Sequence, residues 1–120
     1  MIYLASPYTH PDTHVRESRF HVACTATAKF MRRGLRVFSP IVHGHPLVCR
    51  GLPMDWSFWE PLDRTILQHC TEMYVLKLDG WQQSRGVQAE IQMARALCKP
   101  ISYFEAGLAT DDKTPASTGD

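Results

Sequence analysis

Short apolar segments alternate with amphipathic helical segments along most of the chain. The apolar segments, several of which stop at proline, are typical of buried strands and are predicted at residues 1–5, 35–39, 73–78 and 100–104. Helical periodicity predicts helices at residues 12–33 and 84–98, with a further helix starting between Ser57 and Pro61. The proline- and glycine-rich stretch 41–55 is predicted to be a long loop.

This order of elements predicts an α/β fold, a flavodoxin-like or Rossmann-like three-layer sandwich with a parallel sheet of about four strands. Such sheets bind ligands beyond the carboxyl ends of their strands. Residues 6–8, 39–45 and 79–86 should therefore meet in one crevice. The domain is expected to span residues 1–105, and the polar, small-residue composition of 106–120 predicts a disordered tail.

The charge, hydrophobicity and cysteine content of the chain indicate which kinds of partner and compartment to expect. Thirteen Lys and Arg against twelve Asp and Glu give a net charge of +1, which favours a small ligand over a nucleic acid polymer. The chain has no apolar run of the roughly 18 to 20 residues that cross a bilayer, so no membrane partner is expected. Four cysteines without a CxxC pair, and no signal sequence before Tyr3, predict a cytoplasmic protein.

Two acids occupy unusual positions on predicted helices. Glu90 lies about 40° from Ala94 and about 60° from Val87 around the helix axis, at the border of the apolar stripe. Neither Glu90 nor Asp63 has a cation three or four residues away on its own helix. Unpaired burial would raise the pKa of each carboxyl, and together the two acids point to a functional site.

The loop at residues 80–86 leads directly into the helix that carries Glu90. Exposed backbone amides at a helix N-terminus favour an anion. Ser84 is therefore predicted either to cap this helix or to bind phosphate. An ordinary N-cap, with Gly86 kept for close packing, is the alternative interpretation of the same loop.

Four motifs together resemble the nucleoside 2-deoxyribosyltransferase-like superfamily: IYLASPY from Ile2, FSPIxHxHP from Phe38, DWxFWxxxD from Asp55, and GWxxSxGVxxE from Gly80. The likeness covers roughly residues 1 to 104 and is greatest to a small branch of that superfamily. The resemblance implies cleavage or exchange of the N-glycosidic bond of a nucleoside or nucleoside 5'-monophosphate. It implies no metal and no cofactor, and a homo-oligomer, either a dimer or a tetramer.

The resemblance also implies roles for individual residues. Glu90 would attack C1' of the sugar, Tyr3 would orient that carboxylate, and Asp63, or as second choice Asp79, would act near the departing base. Positions that hold a 5'-phosphate in relatives correspond to Ser6, Ser84 and Gly86. Tyr8 and His45 are further expected substrate-binding residues.

Several alternatives stay open from the sequence. His43 and His45 could chelate zinc with Cys49 or His69, although a hydrogen-bonding or packing role for His45 is preferred. The aromatic residues Trp56, Phe58 and Trp59 suit either base stacking or a hydrophobic plug. Transferases of the family that the chain resembles often hold the sugar with a residue near the neighbouring chain's C-terminus. The segment after Phe104 shows no such motif, which favours hydrolysis over transfer. The rival functions are an NAD-type glycohydrolase and a non-catalytic nucleotide-binding module.

Overall fold

The computed structural model describes residues 1–107. Its elements follow the chain as β1 (Ile2–Ala5), α1 (Thr13–Arg32), β2 (Val37–Phe38), α2 (Pro40–Val48), α3 (Trp56–Gln68), β3 (Glu72–Lys77), α4 (Arg85–Ala96) and β4 (Ile101–Glu105). The four strands form one sheet in the order β2-β1-β3-β4, and every pairing is parallel. The prediction of an α/β fold with a parallel sheet of about four strands is confirmed.

The sheet separates two apolar layers. On one face, α1 packs through Ala26 and Phe30 against Leu4 of β1. On the other face, α3 and α4 pack against Tyr3 and Ala5 of the same strand. Alternate residues of a strand point to opposite faces, so the odd-numbered positions of β1 face the helix that carries Glu90.

The strand order places a switch point between β1 and β3. The chain runs outward from β1 to β2 and then returns past β1 to form β3. The connections that follow β1 and β3 therefore diverge onto opposite faces of the sheet and leave a crevice at the carboxyl ends of these strands. Within the described residues no helix is both long and apolar enough to cross a bilayer.

The predicted loop over residues 41–55 is partly wrong, because Pro40–Val48 form helix α2. Ser39 caps this helix by accepting a hydrogen bond from the Val42 amide at 3.2 Å, and Pro40 occupies the first turn, where a missing N–H costs nothing. Gly44 lies against the Trp59 indole, so that a Cβ there would stand 3.5 Å from the ring. Packing against α1, β1 and α3 thus overrides the local helix-breaking signals.

The start of α3 also differs from the predicted one. The helix begins at Trp56, with Asp55 as N-cap residue, and Pro61 lies inside it. The predicted Ser57–Glu60 capping box does not form, since Ser57 donates to Asp55 at 2.6 Å and Glu60 pairs with Arg64. The other bounds agree to within two residues, and most of the predicted tail, residues 108–120, lies outside the described residues.

Candidate active site

A cavity of about 390 Å³ opens at the carboxyl ends of β1 and β3, within the size range of small-molecule sites. It collects residues from the β1–α1 loop, α2, the start of α3 and the first turns of α4. Seven of the predicted site residues line it: Ser6, Tyr8, His45, Asp63, Ser84, Gly86 and Glu90. Tyr3 lies beneath the floor, and Asp79 is not part of the lining.

Glu90 forms the floor of this cavity. Its side chain is 4% exposed, and the Tyr3 hydroxyl donates a hydrogen bond to Glu90 Oε2 at 2.5 Å. Tyr3 reaches it because β1 and α4 are neighbours on one face of the sheet. Burial, followed by the charge of Glu90, raises the pKa of Tyr3 well above its usual value, so the hydroxyl stays protonated as a donor.

Asp63 of α3 is the second acid at the floor. It is 5% exposed and lies within hydrogen-bonding reach of both Glu90 and Tyr3. Burial raises the pKa of Asp63 to about 7, although polar interactions with Glu90 and Tyr3 oppose that rise. The pKa of Glu90 is raised well above its usual value, first by burial and then by the charge of Asp63.

Glu90 and Asp63 therefore titrate as a pair and share a proton near neutral pH. Burial is the main cause of the raised pKa of both carboxyls, and the charge of Asp63 raises the pKa of Glu90 further, so the pair retains a proton. With this proton on Asp63, Glu90 is a carboxylate that accepts from Tyr3 beside a neutral acid. Such a pair can supply both a nucleophile, the carboxylate, and a proton donor, the neutral acid.

The first turn of α4 forms one wall of the cavity. Ser84 caps the helix by accepting from the Val87 amide at 3.2 Å, as one of the two interpretations of its loop requires. Gly86 lies against the Trp56 indole, and a Cβ added at this position would stand 3.5 Å from the ring. Arg85 adds a cation to the same wall, and a helix N-terminus beside a cation favours an anionic ligand.

Ser6 faces the same space from the end of β1. Its hydroxyl is the single buried side-chain polar atom among residues 1–107 that has no hydrogen-bond partner. Buried polar groups are normally hydrogen-bonded. The unsatisfied Ser6 Oγ, which lines the cavity, is therefore free to bind a ligand oxygen.

The aromatic residues of α3 divide into two groups. Trp56 and Trp59 line the cavity, and the Trp59 indole donates to the Pro53 carbonyl at 2.7 Å. Phe58 is exposed and does not line it. The two indoles give the cavity the flat apolar surface that a nucleobase stacks on.

His45 of α2 closes the side of the cavity opposite α4. Its Nδ1 lies 2.6 Å from the Tyr8 hydroxyl and its Nε2 lies 2.8 Å from Glu17 Oε2 on α1. His43 and His45 do not form a chelating pair, because a helix places residues two apart on different faces. His43 instead packs near Phe38, with ring centroids 5.9 Å apart.

Asp79, predicted as a second catalytic acid, is exposed and borders a separate depression beside α1. Its carbonyl accepts from Arg19, which also donates to the Tyr8 and Thr9 carbonyls. Arg19 thereby ties together the two loops on either side of the switch point. Nothing in the sequence indicates this role, because Arg19 has the pattern of a solvent-facing residue on an amphipathic helix.

A family model described as a domain of unknown function, DUF1937, matches residues 1–106, which include every element from β1 to β4. No curated protein matches the sequence. Neither result links the chain to nucleoside 2-deoxyribosyltransferases, and that resemblance stays a prediction.

Proposed function

The chain belongs to the DUF1937 family, and from its cavity floor we propose that it is an N-glycosidase acting on a nucleoside or nucleoside 5'-monophosphate. The observation that carries the proposal is the contact of buried Glu90 with both the Tyr3 hydroxyl and buried Asp63. Burying two acids side by side destabilises a fold. Such an arrangement is typical of sites where a carboxylate attacks while a neighbouring acid donates a proton.

In the first step, a Glu90 carboxylate oxygen attacks C1' as the C1'–N bond to the base breaks. The bonding electrons leave with the base nitrogen, which takes the proton held by Asp63. The transition state resembles an oxocarbenium ion, so the negative charge of Glu90 stabilises it before the ester bond forms. The Tyr3 hydrogen bond keeps the attacking oxygen in place and favours the ionised carboxylate, against the effect of burial on the pKa of Glu90.

In the second step, water attacks C1' of the glycosyl ester and Asp63 accepts its proton. The ester bond breaks, which returns Glu90 to a carboxylate and releases the sugar. A covalent route suits this pair because two carboxyls in hydrogen-bonding reach leave no space for the intervening water of an inverting glycosidase. A second base in place of water would give glycosyl transfer.

The polar wall of the cavity supports a 5'-monophosphate over a free nucleoside. Ser6 offers an unsatisfied hydroxyl, and the first turn of α4 offers backbone amides with Arg85 beside them. A phosphate is the group that such donors bind best. The base would lie on the Trp56 and Trp59 side of the same cavity.

The proposed setting is a homo-oligomer in a reducing cytosol. All four cysteines are free, which fits a reducing compartment. Size-exclusion chromatography with light scattering measures the oligomeric state directly, and a monomer at micromolar concentration would contradict the expected dimer or tetramer.

The test of activity is base release from nucleosides, nucleoside 5'-monophosphates and NAD, followed by chromatography. Glu90→Gln should abolish release because the amide is not a nucleophile. Glu60→Gln removes a surface acid from α3 and serves as the matched control, with unchanged release expected. A nucleoside with a fluorinated sugar, which slows hydrolysis of the ester, should add its glycosyl mass to the peptide that contains Glu90.

The base-release assay distinguishes the proposed N-glycosidase from the rival functions. Base release that survives Glu90→Gln overturns the mechanism. Release from NAD alone would replace the proposed substrate by a dinucleotide. Saturable nucleotide binding without release from any substrate would identify a binding module. Ser6→Ala should raise KM for a nucleoside 5'-monophosphate and leave KM for the corresponding nucleoside unchanged. Equal changes in both KM values would exclude a contact between Ser6 and the 5'-phosphate.

A further inference from the structure

Three side chains with metal-ligating atoms lie together where α1 packs against α2, on the side of the His45 ring away from its contact with Tyr8. Glu17 comes from α1, His45 comes from α2, and Cys49 is the residue that caps the C-terminus of α2. A carboxylate oxygen, an imidazole nitrogen and a thiol sulfur of these residues lie within 4.8 Å of one another. None of the three belongs to the Glu90–Asp63 pair.

The spacing of these atoms suits a tetrahedral metal ion. Two ligands bound at about 2.0 to 2.3 Å with tetrahedral angles lie roughly 3.3 to 3.7 Å apart. His45 Nε2 and Cys49 Sγ are 3.7 Å apart. The 2.8 Å between His45 Nε2 and Glu17 Oε2 is a hydrogen-bond distance, and Glu17 must withdraw slightly to admit an ion. Its side chain is 44% exposed, so it can move.

The surroundings of His45 hold its ring in the orientation a metal ligand needs. The Phe20 ring lies against the imidazole, with centroids 4.4 Å apart. The Tyr8 hydroxyl lies 2.6 Å from Nδ1, the nitrogen that faces away from Glu17 and Cys49. A ligating histidine commonly uses its second nitrogen in this way, and such partners strengthen metal binding.

We propose that Glu17, His45 and Cys49 bind one zinc-like divalent ion, with solvent at the fourth position. The combination of thiolate, imidazole and carboxylate favours zinc over magnesium or calcium, which prefer oxygen ligands throughout. The Cys49 amide donates to the His45 carbonyl at 3.0 Å, so the i, i+4 spacing places both side chains on one face at the C-terminal end of α2. The site therefore uses one histidine of the HxH motif and leaves His43 out.

Metal binding also changes the hydrogen bond that faces the cavity. An ion on Nε2 requires the proton on Nδ1, which then donates to the Tyr8 oxygen. Without metal, His45 Nε2–H donates to Glu17 and the Tyr8 O–H donates to Nδ1. With metal bound, the Tyr8 O–H no longer has this acceptor and is free to donate to a ligand in the cavity. The Cys49 thiol gives its proton to solvent as the sulfur ligates, so metal affinity increases with pH.

Titration of the reduced, metal-free full chain with Co²⁺ tests the proposal. One equivalent should bind, with a thiolate-to-cobalt charge-transfer band and the visible bands of tetrahedral cobalt, and Zn²⁺ should displace it. Zinc should also raise the melting temperature, since it binds the folded state. Cys49→Ser should remove the charge-transfer band, and Glu17→Gln should weaken binding by at least about tenfold.

Two matched controls isolate the site. Cys98→Ser replaces another exposed cysteine, and His43→Ala replaces the other histidine of the motif on the same helix. Both should bind cobalt as the unmodified chain does, and so should Glu90→Gln, which separates this site from the proposed reaction. A charge-transfer band that survives Cys49→Ser in a folded variant, or no saturable binding of one equivalent, overturns the proposal.

Discussion

Asp63→Asn is expected to make the protein more stable at alkaline pH, although it removes a proposed proton donor. Asp63 is almost fully buried, and burial raises its pKa from 3.8 to about 7. In the unfolded chain the carboxyl is solvated and ionises near its ordinary value. The fold must therefore accommodate a buried charge once the pH exceeds about 7.

The effect of the Asp63 charge on the free energy of unfolding follows from the protons that the folded and unfolded states bind. Between the unfolded and folded pKa values the folded state binds more protons, so its stability decreases as pH rises through that window. The separation of 3.8 from about 7 corresponds to a loss on the order of 4 kcal/mol above the upper value. Asn keeps the shape of the side chain without its charge. Removal of the Asp63 charge also removes its electrostatic repulsion of the neighbouring Glu90 carboxylate.

Urea denaturation at a series of pH values measures this difference. The free energy of unfolding of Asp63→Asn should approach that of the unmodified chain near pH 4 and exceed it by a few kcal/mol at pH 8. Glu60→Gln, on the exposed side of the same helix, should show no comparable rise. A stability difference that is independent of pH, or an Asp63→Asn variant less stable at pH 8, would refute the assignment of Asp63 as a buried, strained acid.

Three further substitutions test neighbouring features. Tyr3→Phe removes a hydrogen bond to a carboxylate worth about 1.5 to 3 kcal/mol and should lower kcat/KM by roughly 10- to 100-fold; steady-state kinetics that show no loss would contradict the role of Tyr3. Ser84→Ala should cost about 1 kcal/mol of folding stability through loss of the α4 cap, checked by urea denaturation. Gly80→Ala should cost more than Gly34→Ala. Both glycines have positive φ, near 90°, but at Gly80 the new Cβ would stand 2.7 Å from the Arg19 guanidinium and displace it from its hydrogen bond to the Asp79 carbonyl. Equal melting temperatures for these two variants would exclude that clash.

The sequence was sufficient to predict the parallel sheet and the helix that carries Glu90. Strands such as residues 1–5 are apolar on both faces, and the apolar stripe of the helix from Ser84 identified Glu90 as a border residue without a cation nearby. These signals are local, and tertiary packing reinforces them. Local signals failed at Pro40–Val48, where packing of Gly44 on Trp59 stabilises a helix through a stretch that reads as a loop.

The residues that surround the cavity depended on tertiary structure. The parity of β1 and the strand order bring Tyr3 to Glu90, 87 positions away in the chain, and place Asp63 beside them. The same packing brings Glu17 to His45 and leaves Asp79 outside. Side-chain periodicity specifies which face of an element is buried, but only the packed fold determines which distant side chain lies opposite it and how deeply each acid is buried. That burial is the main cause of the raised pKa of Asp63 and Glu90.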